Sequence, residues 1–164
     1  MQTSERQAAP WAITGARHGG ITVSDMDRSL EFYAGLIGLE LVWREELPAT
    51  VIGRIVGVPE ATGFDVAFLQ IPGSETQVEL VEYLGVNKES GAGSPSHHGT
   101  GHFCVFVQNI QELYDDLAAQ GVRFHSDGPV EMTTGPNEGG KSLYSLDPDG
   151  YVFEFHERPP HATA

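Results

Sequence analysis

Cysteine is nearly absent. Cys104 is the single thiol in 164 residues, which excludes an internal disulfide framework and agrees with a reducing cytoplasm. Cations are scarce as well, with 9 Lys and Arg against 23 Asp and Glu, a formal net charge of −14. Binding phosphates demands the opposite sign, so a nucleic-acid partner is excluded, and an anionic membrane surface is disfavoured on the same ground. Long apolar runs are missing too. The longest, such as 66–69, fall far short of a bilayer span, and the polar residues 1–10 hold no apolar core of a secretory signal. The expected location is therefore the cytoplasm, with a well-solvated acidic surface. Hydrophobic residues, at 40%, suffice for an ordinary core in one compact domain or two small modules sharing one.

What is present is a repeat. His18-Gly-Gly-Ile-Thr-Val-Ser-Asp and His102-Phe-Cys-Val-Phe-Val-Gln-Asn each open with a histidine, run on as a short β-segment and end on a helix N-cap, Asp25 or Asn109. The offset is 84 at both ends. It persists into the helices that follow, where Met26, Leu30 and Tyr33 correspond to Ile110, Tyr114 and Leu117 on one apolar face. Glycines at 35–38 and 121 close these helices. A strand follows each (39–45 and 122–125), and then a hairpin: 64–71 with 77–83, and 141–146 with 151–157. The second hairpin turns through Asp147-Pro148-Asp149-Gly150, a strong turn signal.

Each half therefore reads β-α-β-β-β, which predicts an α+β fold of two tandem βαβββ modules related by pseudo-twofold symmetry, sharing an open, barrel-like concave sheet. The expected modules are 13–84 and 98–160. A Gly/Ser/Pro-rich linker, 85–101, runs into the start of the second, and residues 1–12 and 159–164 form frayed tails. An extra stretch in the first half, 47–63, reads as a loop or short helix over the sheet.

The last strand of each half carries a glutamate among apolar residues, Glu79 and Glu154. Strand alternation sets Glu79 opposite Val78 and Leu80, and Glu154 opposite Phe153 and Phe155. His18 and His102 stand in the same relation to their own apolar neighbours. Uncompensated burial of a carboxylate is costly, so both glutamates are expected to face the concavity and meet both histidines there. Two imidazoles and two carboxylates suit one borderline divalent ion: Zn, Ni, Co, Mn or Fe(II).

These motifs, together with Glu31-Phe32-Tyr33, Gly38-Leu39 and Gly140-Lys141, resemble the vicinal oxygen chelate superfamily over about 15–158. That superfamily includes glyoxalase I, methylmalonyl-CoA epimerase, extradiol dioxygenases and antibiotic-resistance proteins. The resemblance implies paired βαβββ modules, a homodimer, and a metal held by His18, Glu79, His102 and Glu154. Glu79 favours the lyase and epimerase branches over dioxygenases, which resemble a three-ligand His/His/Glu set. The implied chemistry is proton removal next to a carbonyl of a small oxygenated substrate, with the metal as Lewis acid and Glu154 or Glu79 as base. Two alternatives stay open: an Fe(II) ring-cleaving dioxygenase, and a non-enzymatic protein that sequesters an antibiotic or toxin. The full ligand set argues against the second.

Other residues receive plainer expectations. Cys104, on the strand face of His102, reads as small core filler or as lining the cavity; His156, on the face of Glu154, reads as a rim residue or as a group behind the ligands; and His97, His98 and His125 read as surface groups. Arg44, Arg54 and Lys141 read as solvated, and Trp43 and Tyr83 as packing residues.

Overall fold

The computed structural model describes residues 11–91 and 93–160. The expected tails fall largely outside this range.

In the first half, β1 (His18–Val23) leads into α1 (Met26–Leu30), which continues as π-helical turns over Glu31–Leu36. The sheet is completed by β2 (Glu40–Pro48), β3 (Gly63–Gln70) and β4 (Gln77–Leu84) in the order β1-β4-β3-β2. β1 runs parallel to β4, and β3 is antiparallel to both β2 and β4. The stretch 47–63 contains a helix, α2 (Ala49–Val56), closed by Gly57 in the left-handed region at φ 74°.

The second half repeats the plan. β5 (His102–Val107) is followed by α3 (Ile110–Ala119), two short strands, β6 (Arg123–Phe124) and β7 (Val130–Glu131), and the hairpin of β8 (Lys141–Leu146) and β9 (Val152–Glu157). Its sheet order is β5-β9-β8-β6, with β7 also on β8 and β5 parallel to β9. The strand expected over 122–125 is thus cut short. Gly121 turns the chain out of α3, and a Ser-Asp-Gly-Pro bend at 126–129 splits the pairing.

The helix starts share a device. Asp25 caps α1 through the Arg28 amide, 3.0 Å away. Asn109, expected to do the same for α3, adopts φ 56° and makes no side-chain cap. A carboxylate from the last strand takes over instead: Glu157 accepts from the Ile110 amide at 3.2 Å, as Glu82 accepts from the Met26 amide at 2.8 Å.

The main core draws on both halves. Ile21, Val23, Met26 and Leu80 pack with Val105, Ile110, Phe153 and Phe155, all buried. The Tyr33 ring meets Phe153 edge-on at 5.5 Å, and its hydroxyl donates to Asp147 at 2.9 Å. The halves approach so closely at β1 that a Cβ on Gly19 would lie 2.6 Å from the Phe103 ring. A second, smaller cluster lies under α2, where Val66 and Phe64 pack with Ile52, Val58 and Val81.

Candidate metal centre

Strand register builds the site. β1 beside β4 sets Gly20, two residues past His18, opposite Glu79, and β5 beside β9 sets Cys104, two residues past His102, opposite Glu154. The core faces are as expected, since Val78, Leu80, Phe153 and Phe155 are at most 1% exposed. The histidines and glutamates lie on the other face of each sheet. There His18 Nε2 is 3.2 Å from Glu79 Oε2, and His102 Nε2 is 3.2 Å from Glu154 Oε2.

Each expected His/Glu pair thus comes together. The four do not converge within one chain: among the described residues, no three His, Cys, Asp or Glu side chains group as a metal site. The shared core explains the separation. The strand faces that meet inside the molecule are those of Gly19, Phe103 and Phe153, so each ligand pair lies on the reverse side of its own sheet.

The pairs themselves fit a divalent cation as half-sites. Each offers one imidazole nitrogen and one carboxylate oxygen, turned toward the same point and open to solvent. In the first pair, Phe68 lies 5.5 Å from the His18 ring and Trp43 lies 5.7 Å from Phe68. The guanidinium of Arg17 sits 5.1 Å over the Phe68 ring and brings a cation to this end of the face. In the second, Tyr144 packs 5.2 Å from His102, and Ser142 Oγ donates to Glu154 Oε1 at 2.9 Å. Burial, with help from Glu154 and Cys104, raises the Tyr144 phenol above its ordinary value. A cleft of about 690 Å³ is lined by the linker and by residues of both halves, Tyr83, Lys88, His102 and Tyr144 among them.

Several side chains depart from expectation. Cys104 is not core filler; it is exposed on the ligand-bearing face, and its thiol is pushed up to about 12 by desolvation and then by Glu154. His156 is not at the rim but buried, 4% exposed, with Nδ1 2.7 Å from Ser142 Oγ. Arg44 is held by Asp65 and Asp27 rather than solvated. Arg17, Phe68, Ser142 and Tyr144 carried no motif of their own; the signal for the last three was strand register with the ligand positions.

Two βαβββ halves, each presenting a histidine and a glutamate from its outer and last strands, define a class of metal-dependent enzymes and binding proteins built on one duplicated plan. A family model, the Glyoxalase/Bleomycin resistance protein/Dioxygenase superfamily, matches residues 15–155, and the chain belongs to that superfamily. It is 32% identical over 144 residues to a lactoylglutathione lyase of Arabidopsis thaliana, covering 84% of this chain and 42% of the plant protein. The chain thus spans less than half the length of that relative. It is 29% identical over 156 residues to a 2-epi-5-epi-valiolone epimerase of Actinomyces sp, covering 93% of this chain and 84% of the epimerase. Among solved structures, a glyoxalase family protein from Bacillus cereus shares the fold, with TM-score 0.77 at 19% identity over 93% of this chain and 99% of that one.

Proposed function

We propose that this protein is a divalent-metal-dependent lyase or isomerase that removes a proton next to a carbonyl of a small oxygenated substrate, working as a homodimer. The observation that carries the reading is the matched geometry of the two pairs. The same two residue types stand 3.2 Å apart on the ligand-bearing face of each repeat. The names of two relatives, a lactoylglutathione lyase and an epimerase, run the same way.

Each pair supplies two ligands, and borderline divalent ions take their protein ligands in threes and fours. The pair of one chain therefore meets the complementary pair of a second copy. An ion bound there supplies Lewis-acid polarisation of the substrate's oxygens. His18 and His102 hold it through neutral nitrogens, and a glutamate carboxylate takes the proton. Phe68, Trp43 and Tyr144 wall the surrounding face and keep water from the reacting carbon.

The test is deuterium uptake from heavy water at the α-carbon of lactoylglutathione, the compound in the relatives' names, by metal-loaded protein. Glu79→Gln or Glu154→Gln should slow exchange by about a hundredfold with metal still bound. Full exchange in both variants would overturn the role of these carboxylates.

A further inference from the structure

The repeat gives the two glutamates equivalent positions but different neighbours. Tyr144 pairs with Glu154 as Phe68 pairs with Glu79. Two residues along each strand, the second half places Ser142 opposite His156, and the first half places Val66 opposite Val81. The valines belong to the apolar cluster beneath α2 and have no hydrogen bond to give. Ser142 and His156 do. Ser142 Oγ lies 2.9 Å from Glu154 Oε1 and 2.7 Å from His156 Nδ1.

The direction of these bonds follows from chemistry. A carboxylate only accepts, so the Ser142 proton points to Glu154, and the Ser142 lone pair must accept from His156 Nδ1–H. The neutral ring then carries its proton on Nδ1 and leaves Nε2 bare. Nε2 is the buried side-chain atom that, among the described residues, has no hydrogen-bond partner. An unprotonated nitrogen without a partner costs less than a stranded N–H, so the orphan agrees with this tautomer. Room for the ring depends on Gly140, where an added Cβ would lie 3.2 Å from Nε2 and 2.7 Å from the Glu157 carbonyl oxygen.

We infer that Ser142 and His156 are positioning residues that lock one oxygen of Glu154, making Glu154 the anchored metal ligand and Glu79 the movable one. The inference rests on the metal reading above for its purpose, but the hydrogen-bond chain exists in the protein alone. Glu154 enters the site with Oε1 already taken and Oε2 turned to His102. Glu79, beside valines, meets no such hydroxyl donor among the described residues. Outer-shell hydrogen bonds to metal ligands are worth about 10- to 100-fold in metal affinity.

Two measurements test this on the full-length protein. The first uses Co(II) as probe, titrated into metal-free protein and followed by its visible spectrum. Ser142→Ala should weaken binding about tenfold or more, and Ser142→Thr, which keeps the hydroxyl, should restore it. Wild-type affinity in Ser142→Ala would overturn the inference. The second is the tautomer of His156 in metal-free protein, read from long-range ¹⁵N–¹H correlations. We expect protonation at Nδ1, with Ser142→Ala shifting the ring toward the Nε2–H form. An Nε2–H ring in the wild type overturns the chain whatever the metal does. If wild-type protein takes up no Co(II), the metal reading fails, and the tautomer still decides for or against the Ser142–His156 bond.

Discussion

Cys104 shows how a residue's surroundings outweigh its type. Alternation puts it on the face of His102, across from Glu154, where the thiol is open to solvent. An exposed thiol would ordinarily be reactive, since the thiolate is the nucleophile. Here partial loss of hydration and the facing carboxylate push it up to about 12. In metal-free protein at pH 8, iodoacetamide should therefore alkylate Cys104 at least about tenfold more slowly than an unstructured cysteine peptide. Glu154→Gln removes the negative charge and should recover part of that rate. Peptide-like reactivity in the wild type would show that the carboxylate does not govern the thiol.

At the scale of elements, the helix starts carry a second repeat that the first conceals. Glu82 and Glu157 each cap a helix belonging to their own half, and each sits three residues beyond the candidate ligand in the same strand. A carboxylate at a helix N-terminus satisfies a free amide and complements the helix dipole. Glu82→Ala should cost about 1 kcal/mol and lower Tm by about 3 °C, measured by thermal unfolding. An unchanged Tm would mean that Asp25 suffices alone. These caps were not legible in the sequence, because the partners lie 56 and 47 residues apart. What was legible had local causes. The offset of 84 located both first strands and helices, and Asp147-Pro148-Asp149-Gly150 located the second hairpin. Helix α2 was only half legible, as a loop or short helix, because eight residues with Gly53 among them are too few to show a helical period. Of the two readings of His156, behind the ligands or at the rim, the rim one failed. Its place on the ligand-bearing face suggested exposure, but burial there depends on Gly140 and on Phe106, whose ring lies 5.8 Å away.

At the scale of the whole molecule, the joint between the halves is both apolar and polar. Asp147 is buried and accepts from Tyr33 across that joint. Desolvation raises its pKa above the ordinary carboxylate value, despite hydrogen bonds from the Tyr151 amide, the Tyr33 hydroxyl and the Asp149 amide that lower it. A raised folded-state value means that the folded chain holds this proton more tightly than the unfolded one. The contribution is thus favourable below the ordinary pKa and is lost as pH rises through the folded one. Asp147→Asn should accordingly flatten the pH dependence above the ordinary carboxylate value, with wild type losing stability relative to the variant as pH rises. Parallel urea melts at several pH values check this; parallel curves would remove Asp147 from the balance.

The same joint bears on where the metal is held. Packing Gly19 and Phe103 against each other leaves the His18–Glu79 and His102–Glu154 pairs on separate faces, each two ligands short. If complete sites form between chains, each unites the first half of one copy with the second half of another. A His18→Ala chain then keeps a sound second half, and a His102→Ala chain keeps a sound first half. Each variant alone should bind Co(II) poorly. Mixed after partial unfolding and refolding, they should form heterodimers with one intact site out of two, so that up to about a quarter of wild-type binding returns if chains pair at random. Sites confined to one chain give no recovery, since every chain in the mixture lacks a ligand. Recovery that tracks the heterodimer fraction, measured by native mass spectrometry, separates the two arrangements.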